Sequence, residues 1–285
     1  MTDRLSLDEV RATGARAYGD RDPEALDTLV ELSRSDHRPE VRGTAAVFLG
    51  AIDWDDRTLP ALTRLLADPA RVSLAGHPGF TDALNDLAMY DGHVIGPGMA
   101  TATLATQNVG DVSAPIEKIA RVALGQRTKG WTADWHDVAD PEALLDLITV
   151  GDVPVDPDVT DPAQRHKQEF AWRDKAASLL LQLDDHVRPE HVPALVDLAM
   201  QGSTAAEIML KERDQLLTVN AVTRHIGDDA VSARLLTAKL LAKMAKRADE
   251  SARPYLRQLS ADGEKSVAKQ AAKGLKLLDK AQKRR

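Results

Sequence analysis

The chain has 285 residues, 43% of them hydrophobic, a formal net charge of −7 and no cysteine. That length and apolar content allow one extended array or two compact domains, and the missing thiols exclude disulfides, thiolate catalysis and Cys-ligated zinc or iron–sulfur sites. The charge is uneven: residues 231–285 carry 15 Lys/Arg against 5 Asp/Glu, a net +10, and the remainder 22 against 39. Such an asymmetry fits either an acidic partner for the C-terminal end or a solvated helix face.

Aromatic residues make up only 4% of the chain. With Ala and Leu abundant, that composition favours close-packed helices over a sandwich or barrel, so the expected fold class is all-α. The N-terminal stretch lacks the apolar core of a signal peptide, and no window approaches the roughly 18 apolar residues of a membrane span. A soluble, unexported, cytoplasmic chain is expected.

Taken in order, residues 1–21 read as one short capping helix ending at Gly19-Asp20. Residues 22–52 read as two helices back to back. Asp22 is placed to cap the first and Pro23 opens it, where a missing N–H costs nothing. In the second, Val41, Ala45, Phe48, Leu49 and Ile52 form one apolar stripe at helical period. A hairpin of this size cannot bury its own apolar face and must stack on another, as in a solenoid.

Leu59, Leu62 and Leu65 repeat Leu26, Leu29 and Leu32 at an offset of 33 residues. Residues 73–114 then break the pattern with a glycine-rich insertion around one predicted helix, 82–89. A helix over 115–124 restarts the array, and Asp140-Pro141 opens a third copy, whose partner helix is displaced by an acidic, proline-containing loop over 151–164. Beyond it Trp172, Ala176, Leu179, Leu180 and Leu183 recover the spacing of Val41 to Ile52. Further helices are expected over 189–198, 204–225, 231–246, 251–259 and 264–283, the last with Val267, Ala271, Leu275 and Leu278 as its stripe. The chain thus reads as one array over 1–285.

The unit formed by Asp-Pro, Leu-x-x-Leu, a turn and then Val-Arg-x-x-Ala-Ala-x-x-Leu-Gly resembles a HEAT repeat in its short bacterial form. Val41-Arg42, Ala45-Ala46 and Leu49-Gly50 carry the resemblance, followed by Trp172-Arg173, Ala176-Ala177 and Leu180. It covers residues 22–66, 140–183 and 250–280. The last copy departs from it, with Ala268 in place of the arginine and Gly274 in the Phe48 position. The resemblance implies an α-solenoid, or superhelix, of HEAT-like hairpins: a non-enzymatic scaffold that presents a concave helical surface for protein–protein interaction, with no cofactor. It also implies that Arg42 and Arg173 are structural, bonding turn carboxylates or carbonyls between helices.

Two groups of residues are candidates for a binding site. Trp131, Asp134 and Trp135 stand in a cluster of aromatics, His136 and Asp137 that could stack a base or cation. This supports an alternative, since HEAT-like DNA glycosylases of the AlkD type use tryptophans and an aspartate to excise alkylated bases. In that family a tryptophan and an aspartate stand four apart, whereas here Trp135 follows Trp131 at that offset and Ala139 follows Trp135. The second group is Lys265, Lys269, Lys273, Lys276, Lys280 and Lys283, one stripe opposite the apolar face of the last helix, suited to an acidic protein partner or to nucleic-acid phosphates.

Metal and nucleophile signals are weak. No H-E-x-x-H occurs, His186 and His191 flank Pro189 in a turn, and Asp152, Asp156, Asp158 and Asp161 lack the glycine and glutamate of a calcium loop. No catalytic residue and no metal ligand is assigned.

Overall fold

A computed structural model describes residues 5–36, 38–73, 113–125, 135–183 and 186–284. The fold is all-α, built of stacked helical hairpins in the manner of a solenoid. The chain divides into two compact units, residues 1–184 and 185–285. Among the described residues no helix is long and apolar enough to cross a membrane.

In the first unit α1 (Leu7–Gly19) packs on the hairpin α2 (Pro23–Ser35) and α3 (Pro39–Ala51). Ser6 and Glu9 close a reciprocal cap on α1, with Glu9 N–H donating to Ser6 Oγ at 3.3 Å and Ser6 N–H to Glu9 Oε2 at 2.6 Å. Asp22 caps α2 as its position before a proline predicts, accepting from the Glu24 and Ala25 amides at 3.0 and 3.2 Å. Helix α3 is buried all round from Val41 to Ala51, the central element of its unit.

The second hairpin is split. Its first helix is α4 (Thr58–Leu66), and its partner is α5 (Ile116–Gly125), which packs on both α4 and α3. Between them the chain leaves and returns through a two-stranded antiparallel ribbon, β1 (Arg71–Ser73) with β2 (Ser113–Pro115), in the register Arg71 to Pro115 and Val72 to Ala114. The 73–114 insertion is therefore rooted inside a hairpin turn, and the helix expected over 115–124 completes a repeat instead of starting one. The helix expected over 82–89 lies outside the described residues.

The third hairpin pairs α6 (Pro141–Thr149) with α7 (Pro162–Leu180). Asp140 caps α6, accepting from the Glu142 amide at 3.0 Å, and its own amide donates to Thr63 Oγ1 of α4 at 2.9 Å. Helix α7 starts at Pro162, inside the span expected to be loop. Asp161 accepts from the Ala163 amide at 3.0 Å and repeats the Asp-Pro start of α2 and α6. Its first two turns are exposed and carry no apolar stripe, so periodicity could not reveal them.

In the second unit, α8 (Val192–Met200) pairs with α9 (Thr204–Glu212), and α12 (Arg253–Ser260) with α13 (Lys265–Gln282). Between these pairs lie the single turn α10 (Val219–Val222) and the long α11 (Val231–Lys246). The continuous helix expected over 204–225 is broken after Glu212, where Arg213 leaves helical geometry at φ −104, ψ 42. Helix α11 packs broadly along α13 and also touches α9 and α12.

Candidate functional site

A continuous chain of polar contacts crosses the three hairpins of the first unit. Arg42, fourth residue of α3, donates from Nε and Nη2 to the two oxygens of Asp68 at 2.6 and 3.1 Å, and from Nη1 to the Asp36 carbonyl at 2.9 Å. Both partners are shut from solvent, at 3% and 0% side-chain exposure. A charge pair so buried is tolerable only because the fork is fully bonded. Trp172 of α7 covers the guanidinium, whose Cζ lies 5.5 Å from the ring centroid.

Lys175 continues the chain, bonding the Asp68 carbonyl at 3.3 Å and Glu117 at 2.5 Å; Glu117 also accepts from Arg121 at 2.7 Å. Burial alone would raise the Glu117 carboxyl, but Lys175 and Arg121 outweigh it and hold it below the usual value. Arg121 in turn lies over Trp135, 4.9 Å from its ring centroid. Trp135 is buried, and the ring of His136 stands beside it at 3.9 Å.

Arg173 does not share the role of Arg42. It lies against Gly151, where a Cβ would stand 2.1 Å from its Nη2, and φ of +71 there independently favours glycine. Its Nε is buried without a hydrogen-bond partner. In sequence, the turn after the next first-position helix is Gln201-Gly202-Ser203, which offers no carboxylate. The oxygens of the acidic loop are taken up by other groups of its unit, the Asp152 carboxylate by Arg34 at 3.5 Å. The Asp152 carbonyl accepts from Arg64 at 2.6 Å, Asp156 accepts from the Asp158 amide at 2.9 Å, and Asp161 is the helix cap. Among the described residues no group of three or more His, Asp or Glu is placed to hold a metal ion.

The second unit repeats the arginine fork where the sequence reading assigned none. Arg234, fourth in α11, donates from Nε and Nη2 to Asp262 at 2.7 and 3.3 Å, and from Nη1 to the Asp228 carbonyl at 2.7 Å. Each bond of the Arg42 fork has its counterpart here, and Arg234 Nη1 adds one to the Asp229 carbonyl at 3.0 Å. Even the second bond of the carboxylate matches, with Asp68 accepting from the Ala70 amide at 2.8 Å and Asp262 from the Glu264 amide at 2.9 Å.

Lys265, Lys269, Lys273, Lys276 and Lys280 are exposed on α13, opposite buried Val267, Ala271, Gly274 and Leu278. Among the described residues none of them pairs with a carboxylate. Lys273 also belongs to a groove of about 240 Å³ between α11 and α13. There it meets Lys239, Lys243 and Lys246 of α11 and Lys211 of α9, with Gln270 among them and Leu240, Ala242 and Leu277 as an apolar floor. Two carboxylates reach these cations. Glu207 bonds Lys211 at 2.5 Å and Lys239 at 3.6 Å, and Asp214 lies 3.9 Å from Lys243. The Lys211 bond, joined by Lys239, holds Glu207 below its usual pKa.

Of the residues singled out in the sequence, the lysine row and Trp135 thus fall in different units, while Trp131 and Asp134 lie outside the described residues. The groove on α11 was missed, although Lys239, Lys243 and Lys246 at i, i+4 and i+7 were a legible sign of one basic face. No curated protein matches the chain. Residues 3–75 match the family model described as HEAT repeats.

Proposed function

From a chain whose residues 3–75 match the model of the HEAT repeats, we propose a non-enzymatic cytoplasmic scaffold whose C-terminal repeats dock an acidic protein partner. The observation that carries this reading is the row on α13: five exposed lysines on one face, none of them in an ion pair with a carboxylate among the described residues. A solvated end face needs polar residues, but it does not need them all of one sign. Uncompensated like charge repels itself and attracts an oppositely charged surface from solution.

The test is photo-crosslinking. A crosslinking residue in place of Lys269 is expected to yield discrete protein adducts in cells, lost when Lys265, Lys276 and Lys280 are changed to Glu. Adducts to nucleic acid alone would overturn the reading, as would none. The base-excising alternative requires Trp131, Asp134 and Trp135 around one ligand. No observation favours it, for Arg121 already covers Trp135.

A further inference from the structure

The groove between α11 and α13 gathers five ammonium groups about two carboxylates, and those two are unevenly shared. Lys211 and Lys239 divide Glu207, and Lys243 has Asp214 only at the edge of ion-pair reach together with the Lys211 carbonyl at 3.3 Å. Lys246 and Lys273 are exposed and have no carboxylate partner among the described residues. The walls are therefore short of negative charge, while Leu240 and Ala242 of the floor are buried and Leu277 is half-buried.

Resting on the scaffold reading above, in which the row on α13 meets the body of the partner, we propose that this groove is the seat of one segment of that partner: an acidic peptide in which Glu or Asp alternates with aliphatic residues. Carboxylates of the segment bridge Lys246 and Lys273 across the groove, one aliphatic side chain covers Leu277 and Ala242, and the Gln270 amide serves the peptide backbone. The chemistry of the walls favours a peptide over a phosphate chain. All five cations are lysines, compact charges without the planar fork by which arginine grips phosphate in two places. No aromatic side chain lines the groove for a base to stack on. Glu207 stands at the Lys211 end, where a continuous polyphosphate backbone would meet it, whereas a peptide can place an uncharged residue there.

Fluorescence anisotropy of a short labelled peptide of alternating Glu and Leu tests this on the intact chain. Lys246→Glu with Lys273→Glu is expected to weaken binding by roughly tenfold or more, whereas Lys265→Glu with Lys269→Glu, on the same helix outside the groove, should change it by less than about threefold. The milder Lys246→Gln with Lys273→Gln should fall between, and thermal melts of every variant should coincide. An all-Glu peptide of equal length should bind more weakly than the mixed one. Equal losses in the groove and row pairs would overturn the groove as the seat, yet would leave the crosslinking result of the scaffold reading standing. Displacement of the peptide by oligo(dT) or tripolyphosphate at constant ionic strength, more readily than by the all-Glu peptide, would overturn it in favour of a phosphate ligand.

Discussion

The two arginine forks use the same atoms and differ in what covers them. Arg42 and Asp68 are walled off beneath Trp172, at 3% and 0% exposure, whereas Arg234 and Asp262 keep 18% and 10%. In the first unit the charges beside the fork are linked to one another, through Lys175, Glu117 and Arg121 as far as Trp135. In the second, the helix that carries the fork also turns Lys239, Lys243 and Lys246 toward a groove with too few carboxylates. One repeat device therefore serves two ends: in the first unit it is absorbed into the core, and in the second it fixes a helix whose other face is left charged.

Breaking the buried fork should have the largest effect. Arg42→Ala strands the Asp68 carboxylate without solvent, and the expected loss is about 3–5 kcal/mol in urea unfolding. Arg42→Met combined with Asp68→Leu should recover most of it, because the two charges leave together. A single-variant loss under about 1 kcal/mol would mean the pair behaves as if exposed. Arg234→Ala should lower the thermal midpoint by visibly less than Arg42→Ala, and a loss as large would erase the distinction drawn from burial.

Glycine contacts sharpen the same contrast. A Cβ on Gly14 would stand 2.3 Å from Phe48 Cδ2, and Phe48 is fully buried in α3, so Gly14→Ala is expected to cost about 1–3 kcal/mol. Phe48→Leu in that background should restore part of the loss. At Gly274, in the position Phe48 takes in the first repeat, the nearest atom is the Leu256 Cδ2 tip at 2.8 Å, which can move. Gly274→Ala should therefore cost less than Gly14→Ala when both are unfolded in urea.

Helix starts were legible where Asp stands before Pro, because the pair sets both the cap and the first φ; Asp161-Pro162 carried that signal and was read as loop only because the two turns after it are polar and exposed. The apolar stripe of Val41 to Ile52 located the core. The ribbon at the root of the 73–114 insertion was not legible, since three-residue strands hold too few positions to show a period of two. Arg234 escaped because residues 204–225 read as a single helix, which hid that α11 is the second helix of its repeat; Asp262, 28 residues on as Asp68 is 26 from Arg42, was the available sign. Along a single helix the lysine row of α13 was plain. The groove was not, because it needs Lys239, Lys243, Lys246 and Lys273 from two helices whose packing no one-dimensional pattern specifies.

The smallest expected effects concern two carboxylates with opposite consequences. Glu117 and Glu207 both titrate below their usual value in the folded protein: Lys175 and Arg121 overcome burial at the first, and the Lys211 bond leads at the second. A carboxyl whose folded pKa lies below its unfolded one adds stability above the unfolded pKa and loses it as pH falls through the folded one. Glu117→Gln should accordingly reduce stability at neutral pH, with wild type and variant converging under acid, and a gap that persists below the carboxylate range would assign the loss to packing. Glu207→Gln should show the same convergence but add a second effect of the other sign. It frees Lys211 and Lys239 at the edge of the groove, so affinity for the Glu/Leu peptide should rise by about two- to fivefold, the range of one exposed ion pair. A fall in affinity would mean that Glu207 orients those lysines for the ligand, and the two units would then use their carboxylates alike.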